Sequence, residues 1–489
     1  MKDVQEILKL MSSPSEQEEA LIIKAFNFAQ KAHGNQKRFS GEPYFYHLVE
    51  SAKILAEQGL DAPTIAAGLL HDTMEDLGVT AKEIEKEFNK EVAFLVKGVT
   101  KLGKLKYRGM ERHAESLRKL FVATSQDIRV LIIKLADRAH NVSTLEHVRP
   151  EKQKRIAIET LEIYAPLANR LGMGNLKAKL EDYSFPYAYP EEYQKVKKLL
   201  KKKRRENIKS LEKVYRTIQI ELVKQDIKNV KVDYRLKNIY SLYKKLLKRD
   251  MDINSIYDIV ALRVIAPSVP DCYRLLGFIH GLWKPVPGRI KDYIAIPKIN
   301  GYQSLHTTIF TGDGGMAEIQ IRTPKMHKEA EYGIASHVNY KEGIFKGKKG
   351  DAVSKKMEWM KKLVKQQKTI KESGQFLDNL KSNFFYDRVF VFTPMGDVVD
   401  LPKGSTTLDF AYAIHSLIGR HASGAKINNK MVSLDTELKN EDIVEIQTRK
   451  NNNPTSKWLN YTKTTNAQKA IRRYLQQHSW INKIRGKNS

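Results

Sequence analysis

The chain has 489 residues and a hydrophobic content of 41%, so about three domains with substantial cores are expected. No apolar run approaches the roughly 18 residues of a membrane span, and the polar, acidic N-terminus is unlike a signal peptide, so the sequence predicts a cytoplasmic protein that does not enter a membrane. Lys and Arg number 85 against 56 Asp and Glu, and this net charge of +29 attracts polyanions such as nucleotides or RNA, although a solvated surface explains charge alone. Cys272 is the only cysteine, which excludes an intramolecular disulfide and a multi-cysteine zinc site.

Helical periodicity dominates the first part of the chain. Apolar residues recur at spacings of three and four across residues 1–190, which predicts an all-α domain. Two prolines in residues 185–190 interrupt this pattern, and a basic helix begins near Glu191, so a domain boundary is expected there. Residues 191–345 alternate short β-patterned segments with helices and predict a mixed α/β domain.

The rest of the chain predicts a connector and a small β-rich module. Residues 346–384 are rich in Lys, Gly and Gln, which suggests a loop followed by a mobile helical linker. Residues 385–448 predict the module, and residues 449–489 begin a further helical region. Strands are expected at 388–392, 397–399 and 443–447, around an apolar helix at 407–417.

Ionisable side chains crowd two of the predicted helices in the first domain. One helix spans residues 61–78, with an Asp at its N-cap and Gly78 as its stop, and the other spans residues 127–145. On the first helix the polar positions are His71, Asp72, Glu75 and Asp76, and on the second they are Lys134, Asp137, Asn141 and Thr144. Burying such polar stripes is costly unless they bind something.

With one residue from an earlier segment, these positions form a set of nitrogen and oxygen ligands suited to Mn, Fe or Zn. The set is His47, His71, Asp72 and Asp137, and its spacing is similar to that of the HD phosphohydrolase superfamily. A metal there would polarise phosphate oxygens and activate a water that Glu75 and Asp76 orient or deprotonate. Arg38 offers a bidentate grip on a phosphate. A salt-bridged helix end would explain a lone His-Asp pair, but the full quartet favours a metal site.

The second domain has no Walker-type phosphate loop, because Gly-Lys-Ser and Gly-Lys-Thr do not occur. It offers instead a series of cations, which phosphoryl or diphosphoryl transfer needs to neutralise oxygens as the bond breaks. These cations are Arg235, Lys237, Lys245, Arg289, Lys291, Lys298 and Arg322.

Carboxylates accompany these cations on predicted strands. In residues 316–323 polar and apolar positions alternate, so Glu318, Gln320 and Arg322 share one face and the opposite face is core. Asp258 opens another β-patterned segment. Two carboxylates from two strands would hold Mg²⁺ against ATP phosphates, or one would act as general base for a sugar hydroxyl.

Between these strands, Gly301 permits a tight turn, Tyr302 is placed to stack on a base, and His306 follows. Taken singly, a packing role for Tyr302 and an exposed strand position for Glu318 are the simpler interpretations. The combination favours a nucleotide site.

At this point the chain resembles, over nearly its whole length, the long Rel/SpoT family of (p)ppGpp synthetases and hydrolases. The segments that carry the resemblance occur in order and are highly specific. They are residues 38–44, 69–76, 98–102, 133–141, 162–168, 234–237, 289–294, 301–307 and 318–323.

The resemblance implies that the first domain is a Mn²⁺-dependent hydrolase that removes the 3′-diphosphate of (p)ppGpp. The matching positions are His47, His71, Asp72 and Asp137 as metal ligands, Glu75 and Asp76 as the catalytic acidic pair, and Arg38, Asn141 and Thr144 as nucleotide contacts. The acidic pair is often lost in synthetase-only members, so its presence implies that hydrolysis survives here.

By the same resemblance, the second domain is a Mg²⁺-dependent synthetase that moves the β,γ-diphosphate of ATP onto the 3′-hydroxyl of GDP or GTP and releases AMP. The matching positions are Asp258 and Glu318 as Mg²⁺-associated catalytic carboxylates, Tyr302 as the guanine-stacking ring, Arg235 as the ATP-stacking arginine, and Lys237, Lys245, Lys291 and His306 as phosphate-facing residues. Gln320 and Arg322 join them as substrate-binding candidates. The basic run 289–292 matches a variant associated with bifunctional members and with GDP preference.

Residues 385–448 resemble a TGS domain, which in relatives inspects uncharged tRNA on the ribosome, and His415 is the candidate contact. The expected architecture is therefore an all-α HD-type domain, a mixed α/β nucleotidyltransferase-like synthetase domain and a β-grasp-like TGS domain. The chain ends at Ser489 in the following helical region, so the zinc-finger and ACT modules of full-length relatives are expected to be absent and ribosome engagement weak.

Three alternatives stay open on the sequence. One is an enzyme dominated by hydrolysis or by synthesis, because the two activities oppose each other. Another is a ribosome- or tRNA-associated regulator in which only one catalytic site, or neither, is active. The third is an HD enzyme that hydrolyses other nucleotides while the second domain only senses them.

Overall fold

A computed structural model describes residues 2–100, 109–256, 259–298, 300–337 and 388–485. These residues form two compact units, one within residues 1–373 and the other within residues 374–489. No helix in these described ranges combines the length and apolar character needed to cross a membrane. The predicted linker at 346–384 lies outside the described residues.

Helices fill the first part of the first unit. They are α1 (Lys2–Leu10), α2 (Glu16–His33), α3 (Phe45–Glu57), α4 (Ala62–Leu70), α5 (Thr73–Asp76), α6 (Ala81–Glu87), α7 (Lys90–Thr100), α8 (Gly109–Gln126), α9 (Arg129–Ser143), α10 (Pro150–Glu159), α11 (Ala165–Arg170) and α12 (Gly174–Ala188). A 3₁₀ turn at Leu145–His147 follows α9, and a π-helical turn at Thr160–Tyr164 joins α10 to α11. The apolar sides of α3, α4 and α9 pack together, with Leu48, Leu69 and Leu135 fully buried.

The predicted helix at 61–78 is in fact two helices, because it breaks after Leu70. Its start is as expected, with the Asp61 carboxylate accepting the backbone N–H of Thr64. At the break, the Thr73 hydroxyl donates to the Leu70 carbonyl at 2.6 Å. A side-chain hydroxyl that competes for a backbone carbonyl disfavours continuous helix. The resulting turn at residues 71 and 72 directs both side chains towards α9.

The predicted interruption at 185–190 is shorter than expected. Helix α12 runs through Pro186 to Ala188, and α13 (Pro190–Lys224) begins after a single non-helical residue, Tyr189. Pro186 removes one backbone hydrogen bond. Packing sustains the helix, because the fully buried Phe185 ring stacks on Tyr243 at a centroid distance of 5.0 Å.

A five-stranded mixed sheet forms the second part of this unit. Its elements are β1 (Lys231–Leu236), α14 (Ile239–Leu247), a 3₁₀ turn (Ile253–Ser255), β2 (Val260–Ile265), α15 (Val269–Leu282), β3 (Lys291–Asp292), β4 (Leu305–Phe310), β5 (Met316–Arg322), α16 (Pro324–Tyr332) and a 3₁₀ turn (Gly333–His337). The strand order is β1-β2-β5-β4-β3, and β2 and β5 are parallel whereas the other pairs are antiparallel. Alternation in β5 buries Ile319 and Ile321 in the core, as the sequence predicts.

The second unit is a small sheet module followed by helices. It comprises β6 (Arg388–Phe392), β7 (Val398–Pro402), α17 (Thr407–Ile414), α18 (Ser416–Arg420), β8 (Ala422–Ile427), β9 (Lys430–Val432), β10 (Val444–Thr448), α19 (Trp458–Tyr461) and α20 (Thr465–Arg485). The predicted helix at 407–417 breaks at His415, which is extended. Its Nδ1 accepts the Leu417 N–H at 3.2 Å and so caps α18.

Asp182 lies on α12, and its side chain contacts the start of α14. It therefore joins the helical part of the unit to the sheet part. Its Oδ2 accepts the Asn238 side-chain amide at 3.4 Å, and the backbone N–H groups of Ile239 and Tyr240 also reach it. Its Oδ1 is buried without a partner. Burial raises the pKa of this carboxyl to about 6.

We expect Asp182→Asn to stabilise the chain by about 1 to 3 kcal/mol at pH 7.5. The pKa of Asp182 is higher in the folded chain than in the unfolded chain, so ionisation of this side chain opposes folding. Removing the charge therefore increases the free energy of unfolding at any pH where Asp182 is ionised. The gain is full above pH 6 and disappears as the pH falls towards the ordinary carboxyl value. Thermal unfolding across this pH range measures it. Asp226→Asn is the control, because that side chain is exposed; an equal gain there would contradict the prediction.

Candidate functional site

Four side chains from three helical segments converge in the first part of the unit. His47 lies on α3, His71 and Asp72 lie in the turn after α4, and Asp137 lies on α9. His47 Nε2 is 3.2 Å from Asp137 Oδ1 and 3.7 Å from Asp72 Oδ2. His71 Nε2 is 3.3 Å from Asp72 Oδ2 and 3.7 Å from Asp137 Oδ1. The four residues predicted as metal ligands therefore form one cluster.

The cluster fits a metal ion. The ligand atoms of His47, His71 and Asp137 all lie within 4.8 Å of one another, and all three residues are buried. His71 Nδ1 is 2.7 Å from the Gly68 carbonyl, which only accepts, so Nδ1 carries a proton and Nε2 is the nitrogen that faces the cluster. This Nε2 is buried and has no hydrogen-bond partner. Such an atom matches a ligand position.

Two residues that the sequence reasoning did not assign hold the carboxylates of this cluster. The Tyr44 hydroxyl donates to Asp72 Oδ2 at 2.7 Å, and Lys134 Nζ donates to Asp137 Oδ2 at 2.6 Å. Burial alone would raise the pKa of Asp137, but the Lys134 ammonium opposes this effect, and that pKa lies well below its usual range. The spacing of three from Lys134 to Asp137 was visible in the sequence. The Tyr44 contact spans two segments and was not.

Glu75 and Asp76 lie on the exposed side of α5, next to the cluster. Loss of hydration and the nearby Asp72 carboxylate raise the pKa of both side chains. Carboxyls with raised pKa values beside a metal site suit proton transfer.

The three predicted nucleotide contacts of this site lie together. Arg38 donates to the Asn141 side-chain oxygen at 2.7 Å and to the Thr144 hydroxyl at 3.3 Å. It also donates to Nδ1 of His140 at 3.1 Å. His140 was not singled out in the sequence, although it lies one helical turn after Asp137.

A cavity of about 260 Å³ adjoins the cluster at Asp137. Its charged and polar lining includes Arg38, Lys134, Arg138, Asn141, Arg155 and Glu159. Four cations against one further acid make the cavity suited to an anionic ligand.

A second polar cluster lies on the polar face of the five-stranded sheet, opposite the face that packs in the core. Gln320 bridges its neighbours, because its oxygen accepts from Arg235 at 2.6 Å and its nitrogen donates to Glu318 at 2.7 Å. Lys291 on β3 is opposite His306 on β4, which in turn is opposite Gln320 on β5. The sheet register thus brings predicted residues from four strands onto one surface.

Tyr302 and His306 extend this surface to the loop before β4. His306 Nδ1 lies 3.3 Å from the Glu318 carboxylate, and its Nε2 lies 2.8 Å from the Tyr302 hydroxyl. Burial lowers the pKa of His306 despite Glu318, so the neutral ring donates to the carboxylate and accepts from Tyr302. The Lys298 ammonium lies 5.0 Å from the centroid of the Tyr302 ring.

The other predicted cations surround this surface less closely. Arg322 is 1% exposed and donates to Glu331 at 3.3 Å, with its guanidinium 6.0 Å from the Tyr302 ring. Lys237 follows β1, and its N–H donates to the Ile259 carbonyl at 3.1 Å. Lys245 lies in the last turn of α14. Loss of hydration is the main cause of the lowered pKa of Lys298. The positive charges of Lys291, Arg235 and Lys245 lower this pKa further.

Two predicted positions stand apart from these clusters. Asp258 lies outside the described residues, so its pairing with Glu318 stays a prediction. His415, the candidate tRNA contact, is exposed at the junction of α17 and α18 in the second unit.

Three family models match separate parts of the chain. A model of the HD domain matches residues 25–174, a model of the region found in RelA / SpoT proteins matches residues 234–344, and a TGS domain model matches residues 389–448. The predicted architecture of a helical HD domain, a mixed-sheet domain and a TGS domain is therefore confirmed. An HD domain with these convergent ligands indicates a divalent metal site.

Named relatives match most of the chain. A GTP pyrophosphokinase of Myxococcus xanthus is 48% identical over 461 residues, which covers 94% of this chain and 60% of the relative. A guanosine-3′,5′-bis(diphosphate) 3′-pyrophosphohydrolase of Aquifex aeolicus is 46% identical over 478 residues, which covers 97% of this chain and 67% of the relative. Among solved structures, small alarmone synthetase 2 from Bacillus subtilis has 25% identity and a TM-score of 0.24, covering 33% of this chain and 93% of that one. The chain spans about 60% of the first relative's length.

We expect His71→Ala to abolish tight binding of one divalent cation, because it removes the buried nitrogen that has no other partner. Electron paramagnetic resonance titration with Mn²⁺ as the probe counts the tightly bound ions. His147→Ala is the control, since this histidine is exposed on the turn after α9. Retention of the same tight site in His71→Ala would refute the ligand assignment.

Proposed function

The chain belongs to the RelA/SpoT family, and from this membership we propose that it both makes and degrades the guanosine alarmone (p)ppGpp at two separate sites. Degradation is assigned to the buried cluster in residues 1–190 and synthesis to the sheet surface in residues 191–345. Residues 346–384 are proposed as the linker, 385–448 as the TGS domain and 449–489 as the start of a helical region. The observation that carries the proposal is the convergence of His47, His71, Asp72 and Asp137 beside a cationic cavity.

Hydrolysis is proposed to remove the 3′-diphosphate of (p)ppGpp and to leave GDP or GTP. His47, His71, Asp72 and Asp137 would hold Mn²⁺, which supplies the positive charge that polarises a phosphate oxygen and activates a water. Glu75 or Asp76 takes up the proton of the water that attacks the phosphorus next to the 3′-oxygen, a role that the raised pKa values support. The bond from this phosphorus to the 3′-oxygen breaks, and the proton passes to that oxygen as the 3′-hydroxyl is released. Lys134 and Tyr44 hold the two carboxylate ligands in place.

The cations around the cavity are proposed to bind the nucleotide. Arg38 donates to both Asn141 and Thr144, so a nucleotide that enters would meet a guanidinium already held beside the metal cluster. Cations that neutralise phosphate oxygens as charge develops lower the barrier of the reaction.

Synthesis is proposed to transfer the β,γ-diphosphate of ATP to the 3′-hydroxyl of GDP or GTP. The hydroxyl oxygen attacks the β-phosphorus, the bond from that phosphorus to the α,β-bridging oxygen breaks, and AMP leaves. We assign the uptake of the hydroxyl proton to Glu318, which Gln320 and His306 orient. Asp258 and Glu318 are the proposed contacts of Mg²⁺.

The remaining predicted residues are proposed to hold the two substrates. Tyr302 offers its ring face to guanine, and Arg235 offers its guanidinium plane to the adenine of ATP. Phosphates are assigned to Lys291 and His306 on the same surface and to Lys237 and Lys245 around it. Gln320 and Arg322 are further proposed contacts.

A partner beyond the nucleotides is proposed for the second unit. The TGS match and the exposed His415 support contact with uncharged tRNA, in a ribosomal setting. Filter binding of charged and uncharged tRNA to the chain, with His415→Ala as comparison, examines this assignment.

The decisive experiment incubates the purified chain with ATP and labelled GDP, first with Mg²⁺ and then with Mn²⁺ added. We expect ATP-dependent formation of guanosine tetraphosphate and its breakdown when Mn²⁺ is present. Asp72→Ala should lose breakdown by about 100-fold or more and keep synthesis, and Glu318→Gln should do the reverse. Thin-layer separation of the labelled products measures both. Equal loss of both activities in either folded variant would refute the two-site assignment.

A further inference from the structure

His140 lies between a predicted nucleotide contact and a predicted metal ligand. Its Nδ1 is 3.1 Å from Arg38 Nη1 and 2.8 Å from His47 Nδ1. Arginine only donates, so His140 Nδ1 must present its lone pair, and the proton of this neutral ring lies on Nε2. One side chain thus fixes the tautomer of the next.

The same reasoning fixes the tautomer of His47. Because His140 Nδ1 accepts, the hydrogen in the contact between the two rings belongs to His47 Nδ1. His47 Nε2 then faces Asp137 Oδ1 at 3.2 Å with a lone pair opposite a lone pair. That arrangement is favourable when a cation lies between them.

His140 has one acceptor lone pair and two donors that share it. In the structure Arg38 also donates to Asn141, whose nitrogen donates to Asp137 at 2.6 Å. Arg38 is therefore joined to the metal cluster by two routes, one through His140 to His47 and the other through Asn141 to Asp137. When a phosphate or a base draws Arg38 away, the His140 lone pair is left to His47 alone.

We propose that His140 is a positioning residue that couples nucleotide capture to metal binding by dividing its lone pair between Arg38 and His47. Full use of this lone pair by His47 holds the imidazole in place and makes its Nε2 a stronger ligand. The site therefore binds its metal more tightly when Arg38 is engaged elsewhere, and by linkage the metal favours nucleotide binding equally. This inference rests on the proposed hydrolase function.

The first test compares Mn²⁺ affinity among His140 variants by isothermal titration and paramagnetic resonance. His140→Leu removes the acceptor and should weaken Mn²⁺ binding about 10- to 100-fold. His140→Asn places an oxygen near the Nδ1 position and should restore binding to within a few-fold of the unaltered chain. His147→Leu, a change at an exposed histidine on the turn after α9, should have no effect.

The second test uses Arg38→Met, which leaves the His140 lone pair to His47. We expect Mn²⁺ binding to become about two- to fivefold tighter in the absence of nucleotide. Removing a positive charge would also tighten binding directly, so the change is repeated in the His140→Leu background. The gain should vanish there. An undiminished gain would show that Arg38 acts only through its charge and would overturn the coupling.

The outcomes separate this inference from the function on which it rests. If the unaltered chain neither binds Mn²⁺ tightly nor degrades (p)ppGpp, the proposed hydrolase fails. If it does both, and His140→Leu binds Mn²⁺ as tightly as His140→Asn, only the role of His140 is overturned. Retained synthesis shows that each variant folds. Should His140→Leu not fold, His140→Gln is used in its place. The glutamine oxygen reaches the position of Nε2 and not that of Nδ1, so His140→Gln should bind Mn²⁺ as weakly as is expected for His140→Leu.

Discussion

The first site depends on one constraint. Its histidine nitrogens and aspartate oxygens lie close together in a buried cluster. The ring nitrogens of His47 and His71 lie 3.2 to 3.7 Å from the carboxylate oxygens of Asp72 and Asp137. Without positive charge among them, such an arrangement would cost several kcal/mol. The fold supplies part of that charge from Lys134 and leaves room for the rest from an ion. The break after α4 is therefore functional, because a continuous helix would not turn His71 and Asp72 together towards α9.

The second site also brings charged and polar side chains together, but on strands instead of helices. Cross-strand register places Lys291, His306 and Gln320 in a row, and the next row contributes Glu318. The two sites share one unit through α12, where the buried Glu181 pairs with Lys244 of α14 at 2.8 Å. Through this pair α14, which carries Lys245, contacts the helical part of the unit.

Much of this arrangement follows from sequence patterns. Spacings of three and four identified α9, and alternation identified β5 with its polar face, because both periods depend on the local backbone. The two helix breaks were not predicted, since each depends on one side chain, Thr73 or His415, that competes for a backbone group. The continuation of α12 through Pro186 depends on tertiary packing, which local propensity does not contain.

The same distinction explains which site residues the sequence revealed. His71 and Asp72 are adjacent in the chain, so their pairing was visible. Tyr44 and His140 act on partners 28 and 93 residues away, and only the packing of three helices brings them into contact. A group that positions a metal-ligating histidine is recognisable in the structure, because it is the hydrogen-bond partner of the ring nitrogen that faces away from the metal site.

The distribution of charge around the first site also favours one kind of ligand over others. Carboxylates gather at the metal end, while Arg38, Arg138 and Arg155 line the cavity at the other. A lone anion in the cavity would leave the acidic end uncompensated. A lone cation at the acidic end would leave Arg38 and Arg155 uncompensated, since among the described residues only Arg138 of the three arginines forms an ion pair, with Glu159 at 2.9 Å. A phosphate bound together with a divalent ion satisfies both ends at once. Electrostatic complementarity of this kind selects the metal–phosphate pair rather than either component, which is the requirement of a metal-assisted phosphate hydrolysis.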